Sequence, residues 1–129
     1  MIAHIISTGD ELLLGDIVDT NASSLCRRLR DAGIRVDRTF GVGDDPELIS
    51  ETLMQSSCQA DVCMVTGGLG PTRDDLTAQA AADAAGLNLI LNNDALASMK
   101  TFFIQHELEW TPENEKQAML PAGAAILYN

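Results

Sequence analysis

Glycine and acid stand side by side at three places in this chain: "STGDE" at residues 7–11, "GVGDD" at 41–45 and "TGGLGPTRDD" at 66–75. In the third, Gly67, Gly68 and Gly70 remove side chains, so backbone N–H groups can come close to a ligand. Thr66 opens that turn, Pro71 stiffens its exit, and Thr72 can cap a following helix whose N-terminus carries partial positive charge. An anion such as phosphate suits that position. The loop is neither GxxxxGK[ST] nor GxGxxG. Asp44 and Asp75, if they face one pocket, can share a divalent cation, because Mg²⁺ prefers carboxylate and phosphate oxygens and offsets their mutual repulsion. The first stretch adds Thr8, Gly9, Asp10 and Glu11. The two acids can be catalytic, can bind a ligand, or can cap a short turn.

Each feature also has a purely structural reading. Thr72-x-x-Asp75 fits a capping box, and acids suit the first turn of a helix. Asp45 reads as the N-cap ahead of Pro46, which leaves Asp44 free to point across the sheet end. Lys116, with Arg73, can neutralise charge developing on a leaving phosphate, or can be a solvated surface lysine. Asn114 and Gln117 can bind polar edges of a ligand, or can fix the segment between Pro112 and Pro121.

The elements that must position these residues alternate. Met1–Ser7 reads as a strand. Residues 19–33 read as a helix, with Ala22, Leu25, Cys26, Leu29 and Ala32 at helical spacing, Thr20 or Asn21 as cap and Gly33 as stop. Asn21 is also counted among the ligand candidates. "IRVDRTFGV" reads as a strand, and a helix follows Pro46 with Leu48, Ile49 and Leu53 as its buried face. Ala60–Val65, apolar but for Asp61, is the kind of run expected for a central parallel strand covered on both faces. Thr72–Ala85 reads as a helix ended by Gly86, and "LNLIL" as a short strand. Asp94–Glu107 has Leu96, Met99, Phe103 and Ile104 at helical spacing, and "AAILY" looks like a last strand. This order predicts an α/β domain with a mainly parallel sheet and right-handed crossovers. Ligands of such folds bind beyond the carboxyl ends of the strands, where all three acidic glycine stretches fall.

Composition narrows the function classes. The 129 residues carry 8 Lys+Arg against 19 Asp+Glu, a net charge of −11, which argues against direct nucleic-acid binding. It leaves room for a phosphate-bearing small molecule held by backbone donors or a cation. Hydrophobic content of 46% suits a single globular domain over residues 1–129. No apolar run reaches the length that spans a bilayer, and the first residues lack a signal-peptide pattern, so a cytoplasmic location is expected. Cys26, Cys58 and Cys63 form no CxxC pair, which argues against a disulfide framework or thiolate zinc site. His4 lies in an apolar strand and reads as structural.

The motifs "STGDELLLGDIVDTN", "TGGLGPTRDDLT" and "NEKQAMLP" together resemble the N-terminal domain of the competence/damage-inducible protein CinA family. That domain is similar to the molybdopterin-binding fold. The resemblance implies a three-layer α/β/α sandwich. Its MoaB/Mog-like adenylyltransferase relatives use a TGGxG loop for the pterin phosphate or nucleotide. They also use two aspartates, which fall here on Asp44 and Asp75. In CinA proteins the domain is linked with metal-dependent hydrolysis of the pyrophosphate in ADP-ribose-like nucleotides. Dimers or trimers are implied as well. Family members continue past the final Asn, so the domain is read as shortened at its C-terminal end.

Three functions follow as expectations. The leading one is a nucleotide pyrophosphatase using Mg²⁺, Mn²⁺ or Co²⁺, with Asp44 and Asp75, and Asp10 beside them, at the metal and the reaction. The second is molybdopterin binding with adenylyl transfer. The third is a non-catalytic ligand-binding module.

Overall fold

The computed structural model describes residues 1–128. Three parallel strands form the main sheet: β1 (Ile2–Thr8), β2 (Arg35–Val42) and β3 (Val62–Thr66), in the order β2-β1-β3. Thr8 pairs with Val42 and Ser7 with Thr66, so all three strands empty at one edge of the sheet. That register alone brings the three acidic glycine stretches together.

β1, not β3, is the central strand. Every residue from Ala3 to Thr8 is buried, whereas β3 is half-buried along its length. An apolar run reports that a strand is covered; it does not report which neighbours it has, and both β1 and β3 carry such runs.

Helices cover both faces, which makes the three layers. On one face α2 (Thr20–Asp31) packs Ala22 and Leu29 against Ala3 and Ile5. On the other, α3 (Pro46–Ser57) and α4 (Thr77–Ala85) bring Ile49 and Ala80 against Ile6 and Val42. Ile5 and Ile6 are fully buried, each contributing about 1.5–3 kcal/mol of transfer free energy. His4 is also fully buried, edge-on to Phe40 with ring centroids 5.6 Å apart, the structural role expected of it.

Helix starts differ from expectation in two places. α2 is capped by Asp19, whose Oδ1 accepts the Ala22 N–H at 2.8 Å. A carboxylate there satisfies an orphan donor and complements the helix dipole, so Thr20 and Asn21 enter the first turn instead. α4 begins at Thr77 rather than Thr72, because the intervening residues form a separate turn described below. α3 starts as its sequence indicates, with Asp45 Oδ1 accepting from Glu47 and Leu48 N–H and Pro46 at the first position. Leu48, however, is exposed while Ile49 is buried. Neighbouring helical residues point about 100° apart, and here it is Ile49 that packs against Ile6 and Val42 of the sheet.

The rest forms a smaller unit. β4 (Leu89–Leu91) pairs antiparallel with β5 (Met119–Pro121). Between them run α5 (Asn93–Gln105) and a 3-10 helix over Pro112–Ala118. The strand expected at residues 124–128 does not form: Gly123 has φ 82° and Ala124 N–H turns back to the Pro121 carbonyl, which carries the chain off the sheet. α5 buries none of its residues, and Ile104 is exposed despite its helical spacing with Leu96, Met99 and Phe103. Among the described residues, no helix is long and apolar enough to cross a membrane. A one-turn helix, α1 (Asp10–Leu13), follows β1 directly.

Candidate functional site

The turn after β3 is built by close packing. Gly67 has φ 93°, and a Cβ there would stand 2.2 Å from the Thr8 carbonyl oxygen. Only glycine allows the turn to lie flush against the end of β1. Thr77 locks it from the other side. Its hydroxyl donates to the Gly67 carbonyl at 2.8 Å and meets the Thr8 hydroxyl at 3.1 Å, and its backbone N–H reaches the Gly68 carbonyl at 3.1 Å. Thr8, expected to touch ligand, is 3% exposed and anchors the turn. Thr77 is not among the residues singled out from the sequence, although the apolar-Thr pair closing "DDLT" is the available signal.

Asp75 holds the next few residues. One of its carboxylate oxygens accepts both the Thr72 backbone N–H at 2.8 Å and the Thr72 hydroxyl at 2.7 Å. A Cβ on Gly70 would come within 2.6 Å of that same oxygen. Burial pushes the Asp75 carboxyl up. The Thr72 hydroxyl, the Gly70 and Thr72 backbone N–H groups and the Lys116 charge outweigh it and hold the carboxyl below its ordinary value. Only half of the capping-box pattern is therefore present, the carboxylate reaching back to the Thr72 N–H, while the Thr72 hydroxyl donates to Asp75 instead of accepting its N–H; the bonds close a turn, with the helix beginning later. The Gly70 N–H, one of the glycine donors expected to face a phosphate, serves Asp75 instead, as does the Thr72 N–H.

Beside this turn lies a cavity of about 410 Å³. Gly68, Gly70 and Asp75 line it from the turn, Leu76, Ala78 and Gln79 from the start of α4, and Lys116 and Gln117 from the 3-10 helix. The α4 N-terminus has no side-chain cap; its Thr77 N–H meets the Gly68 carbonyl, and Ala78 and Gln79 of the same positively polarised turn border this space. Lys116 Nζ donates to the Thr72 carbonyl, and Gln117 Nε2 to the Leu69 carbonyl at 3.3 Å. Sequence-distant Lys116 and Gln117 thus join the glycine turn. Asn114 stands behind them. Its Oδ1 accepts from the Thr111 N–H and hydroxyl, and its Nδ2 donates to Gln117 Oε1, the loop-fixing alternative. Arg73 is exposed. A larger open cavity of about 640 Å³ runs along α5 to residues 126–128, but its described lining carries one carboxylate, Asp94, and no cation. The glycine turn, the acids and Lys116 gather instead at the sheet edge.

The other two stretches meet each other. Asp44 N–H donates to Asp10 Oδ1 at 2.9 Å, and Asp10 N–H to Asp44 Oδ2 at 3.3 Å. Gly9, between Thr8 and Asp10, donates its N–H to the Val42 carbonyl and has φ 144°. Asn21 Nδ2 donates to Thr66 Oγ1 at 3.2 Å, which ties the first turn of α2 to the end of β3.

Among the described residues no three His, Cys, Asp or Glu side chains gather into a ready-made metal cluster. Mg²⁺ is commonly held by one or two carboxylates plus phosphate and water oxygens. The Asp10–Asp44 pair, an oxygen-only donor set at the strand ends, fits that kind of site.

A parallel α/β/α sandwich with a glycine turn and acids at the strand ends defines the class, and the chain belongs to the family described as probable molybdopterin binding domain, whose model matches residues 4–125. Within it, the relatives are CinA-like proteins. The chain is 50% identical over its full length to one from Desulfosudis oleivorans and 48% identical over 96% of its length to one from Geobacter sulfurreducens. It spans 31% and 30% of those proteins, corresponding to their N-terminal part. It is also similar to the protein CinA from Thermoplasma acidophilum, at 34% identity and a TM-score of 0.83, covering 95% of this chain and 71% of that one. The molybdopterin biosynthesis enzyme MoaB from Thermus thermophilus shares the fold, with a TM-score of 0.61 at 17% identity over 92% of this chain and 70% of that one.

Proposed function

We propose that this domain binds a nucleotide-like phosphate ester in the cavity beside the glycine turn and hydrolyses a pyrophosphate bond with the help of a divalent cation. The observation that carries the reading is the convergence of Lys116, the uncapped α4 N-terminus and Asp75 on one cavity at the sheet edge. Lys116 and the helix end supply positive charge in a protein of net charge −11, where a phosphate otherwise meets repulsion. Asp75 keeps its negative charge and fixes the turn that presents Gly68. Asp10 and Asp44 would hold the cation, Mg²⁺, Mn²⁺ or Co²⁺. Such a cation, when bound, polarises a phosphoryl group and makes a bound water more acidic. In this reading one of these carboxylates would take the water's proton, and Lys116 would stabilise charge on the leaving phosphate. A second subunit completing a dimer or trimer belongs to this reading.

The test is release of AMP from ADP-ribose with each cation, in the intact chain and in Asp75→Asn. Cation-dependent turnover lost on substitution supports the reading; a folded protein with no turnover rejects it. A second reading, molybdopterin binding with adenylyl transfer, is favoured by the family description and by the MoaB-like fold. It predicts ATP consumption only when molybdopterin is present. Ligand binding without turnover, unaffected by Asp75→Asn, would leave a binding module.

A further inference from the structure

We propose that two copies of this chain meet through unlike surfaces, the acidic turn after α5 of one copy entering the basic groove between α2 and β2 of the other. The contact is independent of the hydrolytic reading, because neither surface includes the glycine turn, Asp10, Asp44 or Asp75.

Charge is unevenly spread along the chain. Residues 27–38 hold five of its eight Lys+Arg and only two of its 19 Asp+Glu. Arg27 and Arg30 of α2 and Arg35 and Arg38 of β2 line one open cavity of about 470 Å³. Cys26, Ile34 and Val36, all half-buried, give that cavity an apolar part. Its single carboxylate, Asp37, is shared between Arg35 at 3.1 Å and Arg38 at 3.8 Å. Arg30 reaches only its neighbour Asp31, at 3.3 Å. Exposed pairs of this kind bind their partners weakly and exchange them readily.

Edge protection accounts for part of this pattern. β2 is the outer strand of the sheet, and like charges on an edge keep two such edges from pairing. That covers Arg35 and Arg38, and it disfavours a dimer built by joining β2 to β2. It does not call for Arg27 and Arg30, which stand on α2 and line the same cavity.

The complement is on the same chain. Glu107, Glu109, Glu113 and Glu115 fall within nine residues, all exposed. Among the described residues none of them is in an ion pair. Between the first two stands Leu108, 50% exposed. Glu107 makes the turn with φ 55°, and the Leu108 N–H returns to the Phe103 carbonyl at 2.9 Å. Glycine is the usual residue at such a helix end, because a side chain there is strained. A carboxylate is thus present where the backbone favours none. An exposed leucine flanked by carboxylates matches a groove with an apolar part flanked by guanidinium groups, which pair with carboxylates through two parallel hydrogen bonds.

A net charge of −11 opposes the association of any two copies. Joining unlike patches relieves that repulsion locally, whereas joining like acidic patches would add to it. Made twice, the contact gives a two-fold dimer; made once per subunit around an axis, it gives a ring.

Sedimentation equilibrium of the intact chain at low salt tests this, beside Arg35→Glu/Arg38→Glu, Glu107→Arg/Glu109→Arg and the combination of all four. Each two-site variant should raise the dissociation constant at least about tenfold, and the combination should bring it back toward the parent value. Added salt should weaken the parent assembly. Reversing the two acids is the decisive step. It moves the net charge from −11 to −7, so general repulsion falls and assembly through any other surface should strengthen. Only the contact between these two patches predicts weakening. Circular dichroism checks that each variant is folded, and Arg27→Glu/Arg30→Glu on α2 repeats the basic-side test if Arg35→Glu/Arg38→Glu is not. A parent that stays monomeric overturns the proposal. So does an oligomer that is indifferent to the variants, strengthened by the acid reversal, or not restored by the combination.

Discussion

Asp10 and Asp44, 34 residues apart, hold each other by reciprocal bonds from backbone N–H to carboxylate, at 2.9 and 3.3 Å. Two acids so placed would repel if each met only the other's charge. Here each carboxylate meets a backbone dipole, and the loops after β1 and β2 are joined as one surface. Asp10→Asn and Asp44→Asn should each lower cation-dependent turnover at least about 100-fold while costing about 1 kcal/mol or less of stability. Initial rates across a cation titration, set beside urea denaturation, separate the two effects.

Gly67→Ala should destabilise the domain by about 2–4 kcal/mol, because the added methyl meets the Thr8 carbonyl and φ is positive. Gly33 has φ 76° and no atom within 4 Å of where a Cβ would stand, so Gly33→Ala should cost only about 1 kcal/mol. Urea melts of the two variants give the comparison directly. Equal losses would show that backbone conformation, not packing on β1, sets the need for glycine.

Thr77→Val keeps the shape but removes the hydroxyl that serves Gly67 and Thr8. A loss of about 1–3 kcal/mol is expected, together with faster amide exchange at residues 66–70. Unchanged exchange there would mean that the turn holds without Thr77.

Asp75 gives a dependence on pH. Its carboxyl is held below the ordinary value of 3.8, so its charged form stabilises the folded state. That stability is present above about pH 4 and is lost as pH falls through the folded value. Asp75→Asn should therefore be less stable than the parent at pH 7, by about 1 kcal/mol, and nearly equal to it near pH 2. Denaturation of both proteins across that range checks the sign.

Lys116→Met should weaken binding of AMP about tenfold and flatten its salt dependence, since one positive charge leaves the cavity. The far-ultraviolet circular dichroism should stay unchanged. Affinity equal to the parent's would return Lys116 to a structural role at the Thr72 carbonyl.

Much of this molecule could be read from the order of its residues. Periodicity marked the strands and helices of the parallel sheet, and Asp45-Pro46 marked the start of α3 because its cap needs only local atoms. The glycine and acid stretches pointed to the strand ends because such residues have little use inside a packed layer. Other features depended on distant partners. Asp19 rather than Thr20 or Asn21 caps α2, while Asn21 is drawn to Thr66 across the sheet. Thr72 does not begin a helix because Asp75 folds back on it and Thr77 is fixed by Gly67 and Gly68. Residue types and their spacing were enough to fix which chemistry is available: acceptor oxygens, side-chain-free turns and a lysine among acids. It took the folded arrangement to settle that Asp10 faces Asp44 while Asp75 faces Lys116 and Thr72. Strand order and register choose neighbours among residues far apart in the chain, and local pattern carries no information about that choice.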